Sequence, residues 1–157
     1  MKLNRPDLLR QQCYLNGQWV DADSGDKAPV TNPATGEVIA TISEGGEADV
    51  ERAVAAARRA FEGVWSTMRP SERGQILFRF AELLKKHGAE IAQLESRDAG
   101  KPIAAVLRQD LPAAIDTLTY YAGWADKIHG DTVPTRSDAL TYTVREPVGV
   151  VAVIGIV

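Results

Sequence analysis

The sequence predicts an α/β fold in which β-hairpins come first, a helical layer follows and a buried strand comes last. Three observations predict it. β-rich runs with turn signals fill the first 42 residues, a helical period extends over residues 47–128, and residues 148–157 are apolar on both faces. Elements in this order are typical of layered α/β proteins.

The amino end predicts an arm followed by two hairpins. Residues 1–12 are polar and form either a loose arm or a short helix. The first hairpin, residues 13–20, turns at Asn16-Gly17, because Asn-Gly supplies the positive φ angles of tight hairpin turns. The second hairpin, residues 29–42, turns at Asn-Pro-Ala-Thr-Gly36, where Pro fixes φ and Gly takes the left-handed position.

The next region predicts amphipathic helices with buried apolar stripes. One helix begins at Glu47 and ends at Gly63, and another begins at Pro70 and ends at His87. In the link between them, we expect the indole of Trp65 to pack inward. The inward-facing residues are expected to be Val50, Ala53, Val54, Ala57 and Phe61 on the first helix and Ile76, Leu77, Phe80, Leu83 and Leu84 on the second.

The remaining helices are predicted over residues 89–99, from Lys101 onward and over residues 111–128. Because Pro112 would remove a hydrogen bond from a helix interior, we expect a break before it, with Asp110 as the N-cap of the last helix. The aromatic run at positions 120–124 of that helix has helical spacing. It therefore predicts a core or interface contact rather than a ligand site.

The carboxyl end predicts two strands. Residues 139–145 alternate in polarity and predict a half-exposed strand. Residues 148–157 are rich in β-branched side chains and predict a strand buried between two layers of a parallel sheet. A βαβ unit would next need a loop, a helix and a second strand, so we expect the chain to stop short of a complete domain.

Composition bounds the function classes. The 157 residues are 45% hydrophobic and 25% charged with a net charge of -3, which argues against a nucleic-acid partner. No apolar stretch reaches the roughly 20 residues of a membrane span, and the amino end lacks the apolar core of a secretion signal, so we expect a cytoplasmic protein with no membrane contact. The single Cys13 excludes an internal disulfide and is expected to behave as a small apolar residue.

Catalytic motifs are absent from the sequence. It contains no G-x-G-x-x-G, Walker, H-E-x-x-H, C-x-x-C or G-x-S-x-G pattern. His87 and His129 have no spacing that suggests shared metal ligation. From the residues alone, we expect no complete catalytic constellation.

Seven short motifs occur in order between about residue 14 and Ile154. They are Leu15-Asn-Gly-Gln-Trp19, Thr31-Asn-Pro-Ala-Thr-Gly-Glu37, Glu72-Arg73, Gly100-Lys-Pro102, Tyr120-Tyr-Ala-Gly-Trp-Ala-Asp-Lys127, Gly130-Asp-Thr132 and Arg145-Glu-Pro-Val-Gly-Val150. The ordered set resembles the amino-terminal third of the NAD(P)-dependent aldehyde dehydrogenases. The start is most similar to succinate-semialdehyde dehydrogenases, and the middle to broad-range and betaine-aldehyde members, which leaves the substrate open.

The resemblance implies a fold and a chemistry. The expected fold is the amino-terminal part of the aldehyde dehydrogenase domain over residues 13–138, with hairpins over 13–42 and helices over 47–128. Residues 139–147 would then form an oligomerisation-type strand, and residues 148–157 the first strand of the dinucleotide-binding sheet. The family oxidises aldehydes to acids with NAD or NADP, through a Cys nucleophile, a Glu base and an oxyanion-binding Asn.

None of those catalytic groups has a counterpart in this chain. Ile156 and Val157 stand where the family continues with Pro and Trp before the Asn, and Cys13 matches no nucleophile position. We therefore expect a fragment without catalytic or cofactor-binding residues, which does not bind NAD or NADP or turn over by itself. The alternative is a non-catalytic module that docks on a full-length subunit or self-associates through the apolar strand.

The resemblance also implies one ion site. Family members bind a structural monovalent cation through backbone carbonyls that match Val30 and Thr31, and a carboxylate that matches Asp110. Hard oxygen ligands suit such an ion. A role for Asp110 as a helix cap alone explains the same residue, and both possibilities remain open.

Overall fold

Both predicted hairpins form in the computed structural model, which describes residues 3–155. Strand β1 (Cys13–Leu15) pairs antiparallel with β2 (Gln18–Val20), and β3 (Lys27–Thr31) pairs with β4 (Val38–Ser43). The Asn16-Gly17 turn has φ angles of 49° and 81°, as its sequence requires. The described part of the arm is a short 3-10 turn, Pro6–Leu8, and the Asn4 N–H donates to Gln93 Oε1 at 2.8 Å.

Six helical segments follow the hairpins. They are α1 (Glu47–Glu62), α2 (Val64–Thr67), α3 (Pro70–Lys86), α4 (Gly88–Asp98), α5 (Ile103–Ala105) and α6 (Leu111–Trp124). The N-terminal starts of α1 and α3 and the end of α3 at His87 agree with the sequence-based bounds. The last helix ends at Trp124, four residues before the predicted Ile128. A short hairpin of β5 (Thr132–Val133) and β6 (Thr141–Tyr142) follows.

Small residues allow α3 and α6 to approach closely, and these two helices form the most extensive contact between elements. A Cβ built on Gly74 of α3 would lie 2.6 Å from the carbonyl oxygen of Ala122 in α6. Ala122 is 5% exposed, and Ala81 and Ala92 are also buried. Within residues 3–155, no large side chain is completely buried, so small side chains make most of the core.

The predicted inward stripes of the first helices are largely exposed, which corrects the sequence-based expectation. Val50 and Val54 of α1 are 59% and 46% exposed, and Phe80 and Leu83 of α3 are about as open. Trp65 lies in α2 rather than in a link, and its indole is also exposed. An apolar stripe becomes buried only where another element covers it, and no other described element covers these faces.

The predicted break before Pro112 is wrong. Residues Val106–Asp110 form a π turn that leads directly into α6, and the Leu111 N–H donates to the Val106 carbonyl. Asp110 has helical φ and ψ and makes no side-chain cap hydrogen bond, so it is not an N-cap. The wider π turn precedes the proline, and the missing N–H thus falls where the hydrogen-bond ladder is already irregular.

The closing strand does not form over its described part. Residues 148–155 join no β-ladder, and the side chains of Val148, Val153 and Ile154 are 95%, 92% and 91% exposed. A strand needs a hydrogen-bonded neighbour, and none lies beside this segment in the described chain. Ile156 and Val157 lie outside the described residues, as do Met1 and Lys2 of the arm.

The total accessible surface area of the chain is larger than that of a typical folded monomer. It is 11912 Å², whereas a folded monomer of this mass exposes about 7,700 Å². The chain therefore exposes about 4,000 Å² more than a folded monomer of the same mass. The fold thus has the elements of an α/β protein but leaves several of their apolar faces open.

Candidate functional site

A buried carboxylate joins the first loop to the start of α1. Asp49 is 4% exposed, and its carboxylate accepts hydrogen bonds from the backbone N–H groups of Gly46, at 3.0 Å, and Asp23, at 3.2 Å. Arg52, one turn further along α1, forms an ion pair with the same carboxylate. We call these residues, Asp23, Gly46, Asp49 and Arg52, the Asp49 node.

The Asp49 node has a structural role. The hydrogen bond from Arg52 and those from the backbone of Gly46 and Asp23 lower the pKa of Asp49, although its burial opposes them. The sequence signal was Asp49 three residues after Gly46, the spacing of a capping box, which places a carboxylate on the N-terminal N–H groups of a helix.

A second cluster brings together two of the sequence motifs. Gly100, with φ 66°, ends the turn after α4, and a Cβ there would lie 2.8 Å from Pro33 in the turn between β3 and β4. The next residue, Lys101, donates from Nζ to Asp110 Oδ2 at 2.5 Å. We call Pro33, Gly100, Lys101 and Asp110 the motif cluster. It fixes the second hairpin against the helical layer.

The motif cluster bears on the predicted ion site. Val30 and Thr31 lie in β3, where the register of the hairpin shifts between them. The carboxylate of Asp110 is already paired with the ammonium of Lys101, and both side chains are about 40% exposed. An added cation would have to share this carboxylate with Lys101, so the present arrangement does not favour the ion. The cation site stays a prediction.

No catalytic cluster appears among the described residues. Cys13 is half-buried with its Sγ 3.9 Å from the Ser43 carbonyl, and no histidine lies in that contact. His87 caps α3 through its backbone, and His129 accepts from Arg145 Nε at 2.9 Å through its carbonyl. Over residues 3–155 no three His, Cys, Asp or Glu side chains converge as metal ligands, and no helix is long and apolar enough to cross a membrane.

The described strands do not provide a dinucleotide site. Dinucleotides bind beside the carboxyl ends of parallel strands, at a switch point of the sheet. The three sheets formed within residues 3–155 are separate antiparallel pairs. The residues present therefore do not fit a dinucleotide.

The largest functional candidate on the described chain is an apolar surface. On α6, Tyr120 packs against Tyr121 and Trp124 with ring centroids 5.2 Å and 6.1 Å apart, and all three rings are about half exposed. The stripes of α1 and α3 and the segment 148–155 are also open. Large exposed apolar areas are typical of surfaces that contact other protein.

Comparison with known proteins assigns the chain to a family. The model of the aldehyde dehydrogenase family matches residues 19–155. The chain belongs to the aldehyde dehydrogenase family. The mitochondrial benzaldehyde dehydrogenase of Antirrhinum majus is 49% identical over 137 residues, and the cytosolic aldehyde dehydrogenase 1 of Mus musculus is 47% identical over 145 residues.

Solved structures agree with this assignment. The NAD+ complex of an aldehyde dehydrogenase from Bacillus cereus superposes with a TM-score of 0.86 at 40% identity, over 91% of this chain and 30% of that one. An indole-3-acetaldehyde dehydrogenase in apo form gives 0.83 at 33% identity, over 95% of this chain and 33% of that one. The fold is thus the amino-terminal part of an aldehyde dehydrogenase, which confirms the resemblance.

This aldehyde dehydrogenase chain spans less than a third of its relatives. The match to the benzaldehyde dehydrogenase covers 87% of this chain and 26% of that protein. The match to the cytosolic enzyme covers 91% of this chain and 29% of that protein. In those proteins about 70% of the polypeptide has no counterpart in the 157 residues. The open apolar faces described above are consistent with a fold that packs against further protein.

Proposed function

We propose that this chain supplies the amino-terminal part of an NAD(P)-dependent aldehyde dehydrogenase, which oxidises an aldehyde to a carboxylic acid. The observation that supports the proposal is the family match over residues 19–155 together with the TM-score of 0.86 to an enzyme solved with NAD+. The role of this part is structural. Its hairpins and helices provide a layer on which a cofactor-binding sheet packs.

The 157-residue chain by itself does not turn over. The nucleophilic Cys, the Glu base and the oxyanion Asn of the family have no matching positions in it, and its antiparallel sheets offer no dinucleotide crevice. The test is reduction of NAD or NADP by the purified chain with short aliphatic and aromatic aldehydes, beside a full-length family enzyme as positive control. Isothermal titration with NAD should show no saturable heat.

Turnover above the blank, in proportion to the amount of chain, would overturn this proposal. The variant Cys13→Ala sharpens the result, because Cys13 is the one thiol of the sequence. Activity that disappears in this variant would identify Cys13 as a nucleophile. Activity that persists would mean that the chemistry needs no thiol.

A second function, favoured by the surface area, is that of an interaction module. The chain exposes 11912 Å², about 4,000 Å² more than a folded monomer of its mass. This excess is several times the roughly 800 Å² that one partner buries in a standard interface. The partner would be a full-length aldehyde dehydrogenase subunit or a second copy of the chain. Light scattering after size exclusion, with and without such a subunit, tests this role, and a monomer that ignores the subunit would contradict it.

We propose a cytoplasmic location for this chain, and the name of one relative supports it. A similar protein from Mus musculus bears the name of a cytosolic aldehyde dehydrogenase. Fractionation of cells that express a tagged chain would test the location, and recovery with organelles would contradict it.

A further inference from the structure

Asn16 lies in the turn between β1 and β2 and is followed by a glycine. It is the one non-glycine residue of the described chain with a positive φ, 49°, and Gly17 follows with φ 81°. These angles place the two residues at the centre of a tight turn beside the last cross-strand pair, Leu15 and Gln18. A Cβ built on Gly17 would meet nothing within 4 Å. The backbone nitrogen of Gly17 is therefore sterically accessible.

This dipeptide has the groups for an intramolecular reaction. Within residues 3–155, neither the Gly17 N–H nor the Asn16 side chain makes a hydrogen bond. Asparagine is a thermolabile residue, because the backbone nitrogen that follows it can attack its side-chain carbonyl. A bond then forms between the Gly17 nitrogen and Asn16 Cγ, the bond from Cγ to Nδ2 breaks, and ammonia leaves with the amide proton. Glycine hinders this attack least, because it has no Cβ.

Water completes the conversion of Asn16. It adds to one of the two carbonyl groups of the cyclic imide and leaves a carboxylate at position 16. If the bond from the Gly17 nitrogen to Cγ breaks, the product is aspartate. If the bond from that nitrogen to the main-chain carbonyl carbon breaks, the product is isoaspartate, and the main chain gains a methylene group. The reaction consumes only water and releases ammonia, so it needs no oxidant or cofactor.

The other two asparagines of the sequence do not share these conditions. Asn32 precedes Pro33, and the proline nitrogen carries no hydrogen that could leave with ammonia. Asn4 precedes Arg5, whose side chain crowds the backbone nitrogen. The chemistry therefore selects Asn16 among the asparagines of this chain.

A carboxylate at position 16 would enter a positively charged groove. Asn16 lines a groove of about 250 Å³ between the first hairpin and α1, and Arg52 and Arg59 line the same groove. Arg52 is already paired with Asp49. Arg59 forms no ion pair within residues 3–155. Because opposite charges attract even at a partly exposed site, Arg59 is the available partner for the new carboxylate.

We propose that Asn16 is a site of spontaneous deamidation and that the carboxylate it gains pairs with Arg59 of α1. The modified chain carries one more negative charge than its net charge of -3. Aspartate tolerates the left-handed conformation of the turn, so this product adds a link between the first hairpin and α1. Isoaspartate lengthens the turn and disturbs the pairing of Leu15 with Gln18. The turn thus changes irreversibly as the protein ages.

The first experiment incubates the purified chain at mildly alkaline pH and locates any gain in mass by peptide mapping. We expect a gain equal to the difference between a hydroxyl and an amino group at residue 16, with Asn4 and Asn32 unchanged. The matched control is Asn16→Gly, because Gly-Gly also suits this turn and has no amide to react. A free peptide with the sequence around Asn16 gives the rate in an unrestrained chain.

Three outcomes of this experiment would overturn the deamidation site. They are a gain in mass that persists in Asn16→Gly, conversion at Asn4 or Asn32 instead of Asn16, and a chain that stays unchanged after the free peptide has converted fully. The last result would mean that the folded turn holds the two reacting groups apart.

The second experiment tests the contact with Arg59 by thermal unfolding. Asn16→Asp supplies the carboxylate directly and should raise Tm at low ionic strength. Salt should reduce the increase, because it screens exposed charges, and Arg59→Ala should abolish it. Arg58→Ala is the matched control, since this neighbouring arginine does not line the groove, and it should leave the increase in place. An equal effect of Asn16→Asp with and without Arg59 would overturn the pairing.

Discussion

The substitution Gly74→Ala tests whether the close approach of α3 and α6 holds the helical layer together. The added Cβ would lie 2.6 Å from the carbonyl oxygen of Ala122 and 3.5 Å from the Cβ of Ala125. Ordinary contact begins at 3.4 Å, so the helices must separate locally by about 0.8 Å, a gap that forfeits a good part of the dispersion attraction across it. A backbone carbonyl in a helix cannot rotate away as a side chain can.

Two opposing terms set the change in the free energy of unfolding caused by Gly74→Ala. Alanine is a better helix former than glycine by about 1 kcal/mol, whereas overpacking a close contact costs about 1 to 3 kcal/mol. We therefore expect Gly74→Ala to lower the free energy of unfolding by up to about 2 kcal/mol. The matched control is Gly123→Ala in α6, where a Cβ would meet nothing within 4 Å. It should be neutral or stabilising, because only the propensity term acts.

The assay is urea unfolding followed by far-ultraviolet circular dichroism at fixed temperature. The difference between the free energies of unfolding of the two variants removes the shared propensity term and leaves the packing cost of about 1 to 3 kcal/mol. Equal stability of the two variants would refute the close packing of α3 on α6.

Three further predictions concern the Asp49 node and the motif cluster. The pKa of Asp49 is lowered in the folded chain, so its stabilising effect is present above its ordinary pKa and is lost as the pH falls through the lowered value. Asp49→Asn should therefore lower Tm at neutral pH and make Tm depend less on pH during acidification. Thermal melts in which Tm falls with acid as steeply as in the unmodified chain would contradict this. Gly100→Ala adds a clash with Pro33 to the strain of its positive φ, whereas Gly36→Ala, with φ 73° and open space, adds strain alone. In urea unfolding, Gly100→Ala should therefore lower the free energy of unfolding by about 1 to 3 kcal/mol more than Gly36→Ala. Equal losses of free energy in the two variants would exclude a role for the contact. If an ion binds at the predicted site, Tm should be higher in potassium or sodium chloride than in tetramethylammonium chloride at equal ionic strength. Asp110→Ala should abolish that difference. Equal Tm values of the unmodified chain in all three salts would exclude the ion.

Local signals in the sequence predicted the elements well, since they depend on neighbouring residues. Asn16-Gly17 and the turn ending at Gly36 lie where they were expected, because their φ requirements are properties of those residues. The start of α3 at Pro70 follows for the same reason. The family followed from the order of seven motifs, which the match over residues 19–155 confirms.

Burial was predicted poorly because it depends on what lies opposite a residue. The apolar side chains of Val54, Phe80 and Trp65 have the spacing and size of core residues, yet they are exposed in this chain. Hydrophobic periodicity identifies the apolar face of a helix, but it does not identify the element that packs against that face. The buried Asp49 was missed for the converse reason, since its partner Asp23 N–H comes from a loop that local patterns do not place beside it.

The π turn at Val106–Asp110 sets the rotational phase of the helix that follows. A π turn holds one residue more than an α turn, and each residue of an α-helix advances the side chains by about 100°. Ala122, whose carbonyl oxygen would lie 2.6 Å from a Cβ on Gly74, follows this turn along the same continuous helix. Deletion of a single residue within the turn would rotate the whole of α6 by about the same angle and would present a different face to α3. The length of the irregular turn therefore determines which face of α6 packs against α3.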